Sequence, residues 1–288
     1  MRLAGEGYRH VDGRHGRDRR ADARSRAGAA SPPARDGARR VATRWARLAR
    51  VPRAPCGLRR ARGVAARGPH LPRLSAERLR DMVRFADEEW WREATSWERS
   101  TGVLVLSGHF GNWELLVFAH GMRGHPVHMV HRTIANPLLD RWLNALRARA
   151  GTRTIRKRHA ARAVLAALHE RGLLVLPFDQ NSTRGLGVFV DFFGVPASTN
   201  AGLARIALRT DAPIVPAFIV REGRSARHRV HVLPIMQVER TGDPRADVVR
   251  NTQRFSAVFE DMVRRHPEQW LWMHKRWKTR PPGAPRLY

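Results

Sequence analysis

Cysteine is nearly absent from these 288 residues. Cys56 stands alone, so no disulfide can form within the chain, and the composition suits a reducing compartment. Lysine is almost absent too, occurring only at Lys157, Lys275 and Lys278. Acidic residues are few, 25 against 54 Lys and Arg, which leaves a net charge of +29. A chain this basic is drawn to anionic partners: nucleic acid, an anionic membrane surface or an acidic carrier. No apolar run approaches the ~18 residues of a membrane-spanning helix. The first residues are basic, but no apolar stretch of a signal peptide follows them. Paired cysteines for zinc, a G-x-S-x-G nucleophile elbow and a G-x-x-x-x-G-K-[ST] phosphate loop are all missing. Internal repeats are missing as well.

Large apolar residues are scarce in residues 1–70, where Arg, Ala, Gly and Pro predominate. Such a segment buries too little surface to offset its ordering entropy, which predicts disorder. Three readings stay open for it: an Arg-rich nucleic-acid-binding tail, an electrostatic tether to anionic lipid, or a mistranslated stretch of GC-rich DNA. The remainder, residues 71–288, reads as a single domain. Hydrophobic residues make up 42% of the chain, enough for a sizeable core.

What is present is a β-α alternation. Ser75–Trp97 reads as an amphipathic helix with Ser75 as N-cap, packed on a core or lying on a membrane. Apolar runs predict strands near 103–106, 127–131, 173–178, 214–220 and 230–236. Helices are expected over 137–150, 160–170, 201–209 and 245–265, the last ending before Pro267. Strands alternating with helices predict an α/β fold, a mostly parallel (mixed) central sheet flanked by helices.

The organising stretch is TGVLVLSGHFGNWELL, residues 101–116. A buried strand breaks at Ser107 and Gly108, and His109 sits in the turn before a helix that begins near Trp113. Positions five apart lie roughly 140° apart on a regular helix, so His109 and Glu114 meet only if His109 stays in the turn. Gly108 and Gly111 allow this. The Glu114 carboxylate then holds one ring nitrogen and frees the other as a base. N–H groups near Gly111 and Asn112 become candidates for an oxyanion site. An ordinary polar His–Glu pair fits the same spacing.

The run Gly-His-Phe-Gly-Asn-Trp-Glu resembles the active-site motif of the lysophospholipid acyltransferase superfamily, most closely its bacterial lipid A late acyltransferase branch. Further blocks resemble that branch in order: His131-Arg132 followed by Asn136-Pro137, Asp179-Gln180-Asn181, the GVFVDFFGVPAST run from Gly187, Pro213-Ile-Val-Pro-Ala-Phe, and the C-terminal PEQWLWMHKRWK. The resemblance spans roughly residues 75–280. It implies a glycerol-3-phosphate acyltransferase-like fold and acyl transfer from an acyl-acyl carrier protein to a hydroxyl of a lipid A precursor. Other glycolipid acceptors, of the phosphatidylinositol mannoside or ornithine-lipid type, remain open. His109 would be the general base and Glu114 its partner, and Arg132 would hold a phosphate. Asp179, Gln180 and Asn181 would bind acceptor or support the histidine. Val188, Phe189, Phe192 and Phe193 would line an acyl groove, or simply form a core strand. The reaction implied needs no cofactor and no metal. Its setting would be the cytoplasmic face of the bacterial inner membrane, with the chain bound peripherally. Family members usually carry an apolar N-terminal helix, which this sequence does not show.

Overall fold

The computed structural model describes residues 75–96, 101–157, 160–183, 185 and 187–288. The readings made for residues 1–70 fall outside these. In chain order the elements are α1 (Ala76–Met82), β1 (Val83–Ala86), α2 (Glu88–Ala94), β2 (Val103–Ser107), α3 (Trp113–Met122), β3 (Val127–His131), α4 (Pro137–Arg149) and β4 (Arg153–Arg156). There follow α5 (Ala161–His169), β5 (Leu173–Pro177), β6 (Gly187–Phe192), β7 (Val195–Asn200), α6 (Gly202–Thr210), β8 (Ile214–Arg221), β9 (His228–Val232) and α7 (Pro244–Arg265).

Among the described residues, seven strands form one sheet in the order β1-β9-β8-β2-β5-β3-β4. All neighbours run parallel except β8 and β9. The α/β expectation therefore holds. β2 explains why: its alternate residues point to opposite faces, and both faces are covered. Leu104 and Leu106 join a core beneath α5, α6 and α7, while Val103 and Val105 join a second core beneath α2 and α3. At roughly 25 cal/mol per Å² of apolar area, burial on both faces of the central strands supplies most of the drive for this layering.

The parallel arrangement sets the functional edge. β2 and β5 are neighbours in register, Ser107 opposite Pro177. β3 flanks β5, and β4 flanks β3 with His131 opposite Arg156. The loops carrying His109, Arg132, Lys157 and Asp179 thus leave the sheet at one edge, beyond the C-terminal ends of parallel strands, where open α/β sheets place ligands.

Three elements differ from expectation. The single helix read over 75–97 is two short helices separated by β1, which pairs with β9 from Val83↔His228 to Ala86↔His231. Asp87 lies in the left-handed region (φ 58°) and breaks the helical path. Val83 and Phe85 favour a strand once an edge is available to pair with. β4 was not anticipated, and the last strand lies at 228–232 rather than 230–236. The GVFVDFFGVPAST run is an antiparallel hairpin, β6–β7, packed on α7. Its Phe192 and Phe193 are 1% and 6% exposed and belong to the core beneath α7.

One buried group stands out. His120 of α3 is 3% exposed and stacks on Trp91, ring centroids 4.2 Å apart, and against Phe85. Neither ring nitrogen has a hydrogen-bond partner. Burial first, then the charges of His125 and Arg123, push its pKa down to about 3. The folded protein thus needs a neutral ring, whereas an unfolded histidine takes a proton near 6.5. The contribution is intact above pH 6.5 and is lost as pH falls toward 3, at up to about 1.4 kcal/mol per pH unit. His120→Phe should therefore be at least as stable as wild type at pH 7. Its advantage, read from denaturant unfolding, should widen by up to that slope below pH 6.5. A constant difference across pH would contradict the assignment.

Candidate functional site

Gly108 and His109 follow β2, and Phe178 and Asp179 follow β5. The register of the two strands brings these loops together. The His109 imidazole Nδ1 lies 2.9 Å from Asp179 Oδ1. A Cβ on residue 108 would come within 2.7 Å of both Cγ and Oδ1 of Asp179, and within 2.5 Å of a ring carbon of Phe259. Glycine at 108 is thus the condition for this contact. The other carboxylate oxygen, Oδ2, accepts from Trp270 Nε1 at 3.0 Å. Asp179 is sealed, with its side chain 2% exposed, while that of His109 is 23% exposed. The carboxylate is hidden and the imidazole reaches solvent.

The electrostatics follow. Burial works against a charged His109 ring, but the hydrogen bond and negative charge of Asp179, with a smaller effect of Glu114, outweigh it, so the pKa lies above 6.5. Burial alone would raise Asp179, but its bonds to His109 and Trp270 and the charge of His109 hold it below the usual carboxylate range. With Nδ1–H donated to Asp179, Nε2 is left as the acceptor, and the Gln180 side-chain amide stands 3.4 Å from it.

Glu114 does not orient the histidine. Its two oxygens accept from Arg147 of α4, Oε2 from Nε at 2.9 Å and Oε1 from Nη2 at 2.5 Å. This fork-to-fork pair ties α3 to α4 and forms one wall of a cleft. Glu114 lies in the first turn of α3, where its side chain faces α4 instead of the turn behind it. The Asn112 side chain caps the same helix by accepting from Leu115 N–H.

The cleft has a volume of about 350 Å³ and opens beside His109. Trp113, Glu114, Arg147 and Gln180 line it, together with Arg132 and Lys157. Sequence reasoning anticipated His109, Glu114, Arg132 and Gln180 in one site, and the structure gathers them there. Lys157 and Arg147 were missed. Lys157 follows β4, an element not read from the sequence, and its N–H donates to His131 C=O at the end of β3.

Other expectations are corrected. The Gly111 N–H donates to Gln269 C=O at 2.7 Å and so is not free for an oxyanion. Gly111 itself is needed because φ is +56° and a Cβ would strike Ile219 C=O. Asn181 faces the C-terminal segment: its side-chain amide donates to Thr279 Oγ1 and accepts from Thr279 N–H. It is not among the residues that line the cleft, and neither are Val188, Phe189, Phe192 and Phe193.

That C-terminal segment is the largest omission. Leu271 N–H donates to His109 C=O, Trp270 caps Asp179, and His274 Nε2 accepts from Asn181 N–H at 2.7 Å. Arg276 is 1% exposed and donates to Ser198 C=O and Thr199 Oγ1 of β7. Burial pulls its pKa down to about 10, against the opposing pull of Asp179. The signal was a tryptophan- and cation-rich tail, whose side-chain targets no local pattern reveals.

Residues 69–279 match the family model described as bacterial lipid A biosynthesis acyltransferase. The chain is 28% identical over 188 residues to the lipid A biosynthesis lauroyltransferase of Escherichia coli, covering 65% of this chain and 60% of that protein. It is 27% identical over 191 residues to the E. coli lipid A biosynthesis palmitoleoyltransferase, with coverage of 66% and 60%. It is also 27% identical over 184 residues to the phosphatidylinositol mannoside acyltransferase of Mycobacterium tuberculosis, with coverage of 61% and 54%. The chain thus spans about 60% of the length of the first two relatives.

Two outcomes check this geometry. Gly108→Ala should drive Asp179 from the ring and lower the His109 pKa, read by imidazole NMR titration; an unchanged pKa would refute the contact. Glu114→Ala should leave that titration nearly in place but lower stability by about 1–3 kcal/mol, because it strands the half of a charged pair that lies on α4.

Proposed function

Since the chain belongs to the bacterial lipid A biosynthesis acyltransferase family, we propose that this cleft transfers a fatty acyl chain from an acyl-acyl carrier protein thioester to a hydroxyl of a lipid A precursor. The observation that carries the reading is a partly exposed imidazole, held by a buried, ionised carboxylate, in the lining of a cleft that also holds Arg132 and Lys157. His109 Nε2 takes the proton of the acceptor hydroxyl while that oxygen attacks the thioester carbon. The C–O bond forms and the C–S bond breaks. The leaving thiolate then recovers the proton from the imidazolium. Asp179 fixes the tautomer by accepting Nδ1–H and stabilises the transient positive charge. The Gln180 amide, 3.4 Å from Nε2 in the free site, donates to the reacting oxygens in this scheme. Arg132 and Lys157 suit phosphate, Arg132 through its planar fork and Lys157 as a point charge. Glu114 acts on the cleft wall by holding Arg147 in place. The chemistry these residues support requires no metal and no cofactor.

The acceptor remains a choice within one chemistry. The mannoside acyltransferase relative keeps a second glycolipid class in view, and mass spectrometry of lipids with and without the protein names both acceptor and chain. Such a reaction belongs at the cytoplasmic face of the inner membrane, where carrier-bound donor and lipid acceptor meet. Among the described residues, no helix is long and apolar enough to cross a membrane.

His109→Ala should lower acyl transfer by about 10²–10⁴-fold with the fold intact. Wild-type activity should fall as pH drops through a value above 6.5, because the imidazole must be neutral to act as base. Asp179→Asn should lower the rate and also move that acid limb to lower pH, since removing the anion makes the ring harder to charge. An Asp179→Asn enzyme with the wild-type acid limb would refute the pairing, and a His109→Ala enzyme with near-normal turnover would refute the reading.

A further inference from the structure

Helix α4 has two characters. Leu146 and Arg147 are buried, and Leu143 and Arg147 line the cleft. At its N-terminal end, within its first two turns, Leu138, Leu139 and Trp142 are 68%, 47% and 45% exposed. The other large apolar side chains exposed among the described residues, Val249, Met273 and Tyr288, lie on separate segments. Single exposed apolar residues are ordinary, but three on one end of one helix are not.

Charge adds a second observation. From residue 132 to residue 169 the sequence carries one acid, Asp140. Asp140 is turned inward, accepting from Ile134 N–H and Asn144 Nδ2. The exposed cations of the same stretch include Arg132, Arg141 and Arg149, with Arg156 at the end of β4 and Lys157 just past it. An apolar knob with a tryptophan, on a stretch rich in exposed cations and bare of exposed acid, has the chemistry of an interfacial anchor. The rings and aliphatic chains enter the acyl boundary while the cations meet anionic headgroups.

We propose that the exposed N-terminal end of α4 docks on an anionic lipid bilayer and turns the cleft toward the lipid. A fluid bilayer accommodates an exposed apolar cluster of any shape, whereas a folded protein partner would need a complementary surface. Continuity with the site supports the same occupant: Leu143, one residue past Trp142, already lines the cleft, as do Ile134 and Arg132 just before the helix. A lipid acceptor then reaches His109 with its acyl chains still in the bilayer. The inference rests on the acyltransferase reading only for the identity of the lipid that enters.

The test is co-sedimentation of the full chain with vesicles of equal parts phosphatidylglycerol and phosphatidylcholine, alongside vesicles of phosphatidylcholine alone. Wild type should bind the anionic vesicles more strongly. The triple variant Leu138→Ser, Leu139→Ser, Trp142→Ser should bind them at least about tenfold more weakly. Its thermal melt should match wild type, and Met273→Ser should bind as wild type does. Acyl transfer to an acceptor embedded in vesicles should fall with binding, while transfer to a detergent-dispersed acceptor should be retained. Equal vesicle binding by wild type and the triple variant would overturn the proposal, because another surface, the basic N-terminal region included, would then carry the attachment. So would a triple variant that keeps vesicle binding and instead loses capture of an acidic carrier protein or self-association. Vesicle binding needs no turnover, so a protein that docks through α4 yet transfers no acyl chain upholds this inference and refutes only the catalytic reading.

Discussion

The hydrogen bond between His109 and Asp179 draws on distant parts of the molecule. It joins loops 70 residues apart and exists because β2 and β5 are adjacent, parallel and in register. It needs a residue with no side chain at 108 and a tryptophan from the C-terminal segment to close the far side of the carboxylate. A buried carboxylate with one oxygen on an imidazole and the other on an indole has little freedom to move. Its charge persists because both partners favour the ionised form over the protonated one.

Two carboxylates stand near the imidazole and divide the work. Asp179 is sealed and faces Nδ1, so it governs the tautomer and charge of the ring. Glu114 is turned to α4, where a two-pronged ion pair holds Arg147 in the cleft wall. The same α4 carries the exposed apolar residues at its N-terminal end. The cleft wall and the surface we propose for lipid docking thus share one helix, and Glu114 braces it through Arg147.

Much of the architecture was legible in the chain. The Val-Leu run ending in Ser-Gly marked β2, and Asn-Pro marked the start of α4, because burial on two faces and helix capping leave local traces. The histidine in the turn was legible for the same reason. Its partner was legible only through the family resemblance, which offered Asp179 either as an acceptor-binding residue or as a support of the histidine. A spacing of five residues made Glu114 look like the mate of His109, yet the contact that formed was decided by which strands lie side by side, and local spacing carries no record of that. The 75–97 segment failed likewise: its helical period was real, but Val83–Ala86 gained more by pairing with β9. The aromatic hairpin and the Trp-rich tail were visible as motifs. Their destinations, the core beneath α7 and the back of Asp179, depend on packing between distant segments.

In the proposed reaction His109 and Asp179 act as one catalytic unit, and groups that act as a unit are not additive. The most direct measurement is a double-mutant cycle in acyl transfer, comparing His109→Ala, Asp179→Asn and the combined variant. The combined variant should be about as impaired as His109→Ala alone, since an aspartate with no imidazole to steer has nothing left to contribute. Losses that multiply, so that the double variant is slower by the product of the two single effects, would contradict it.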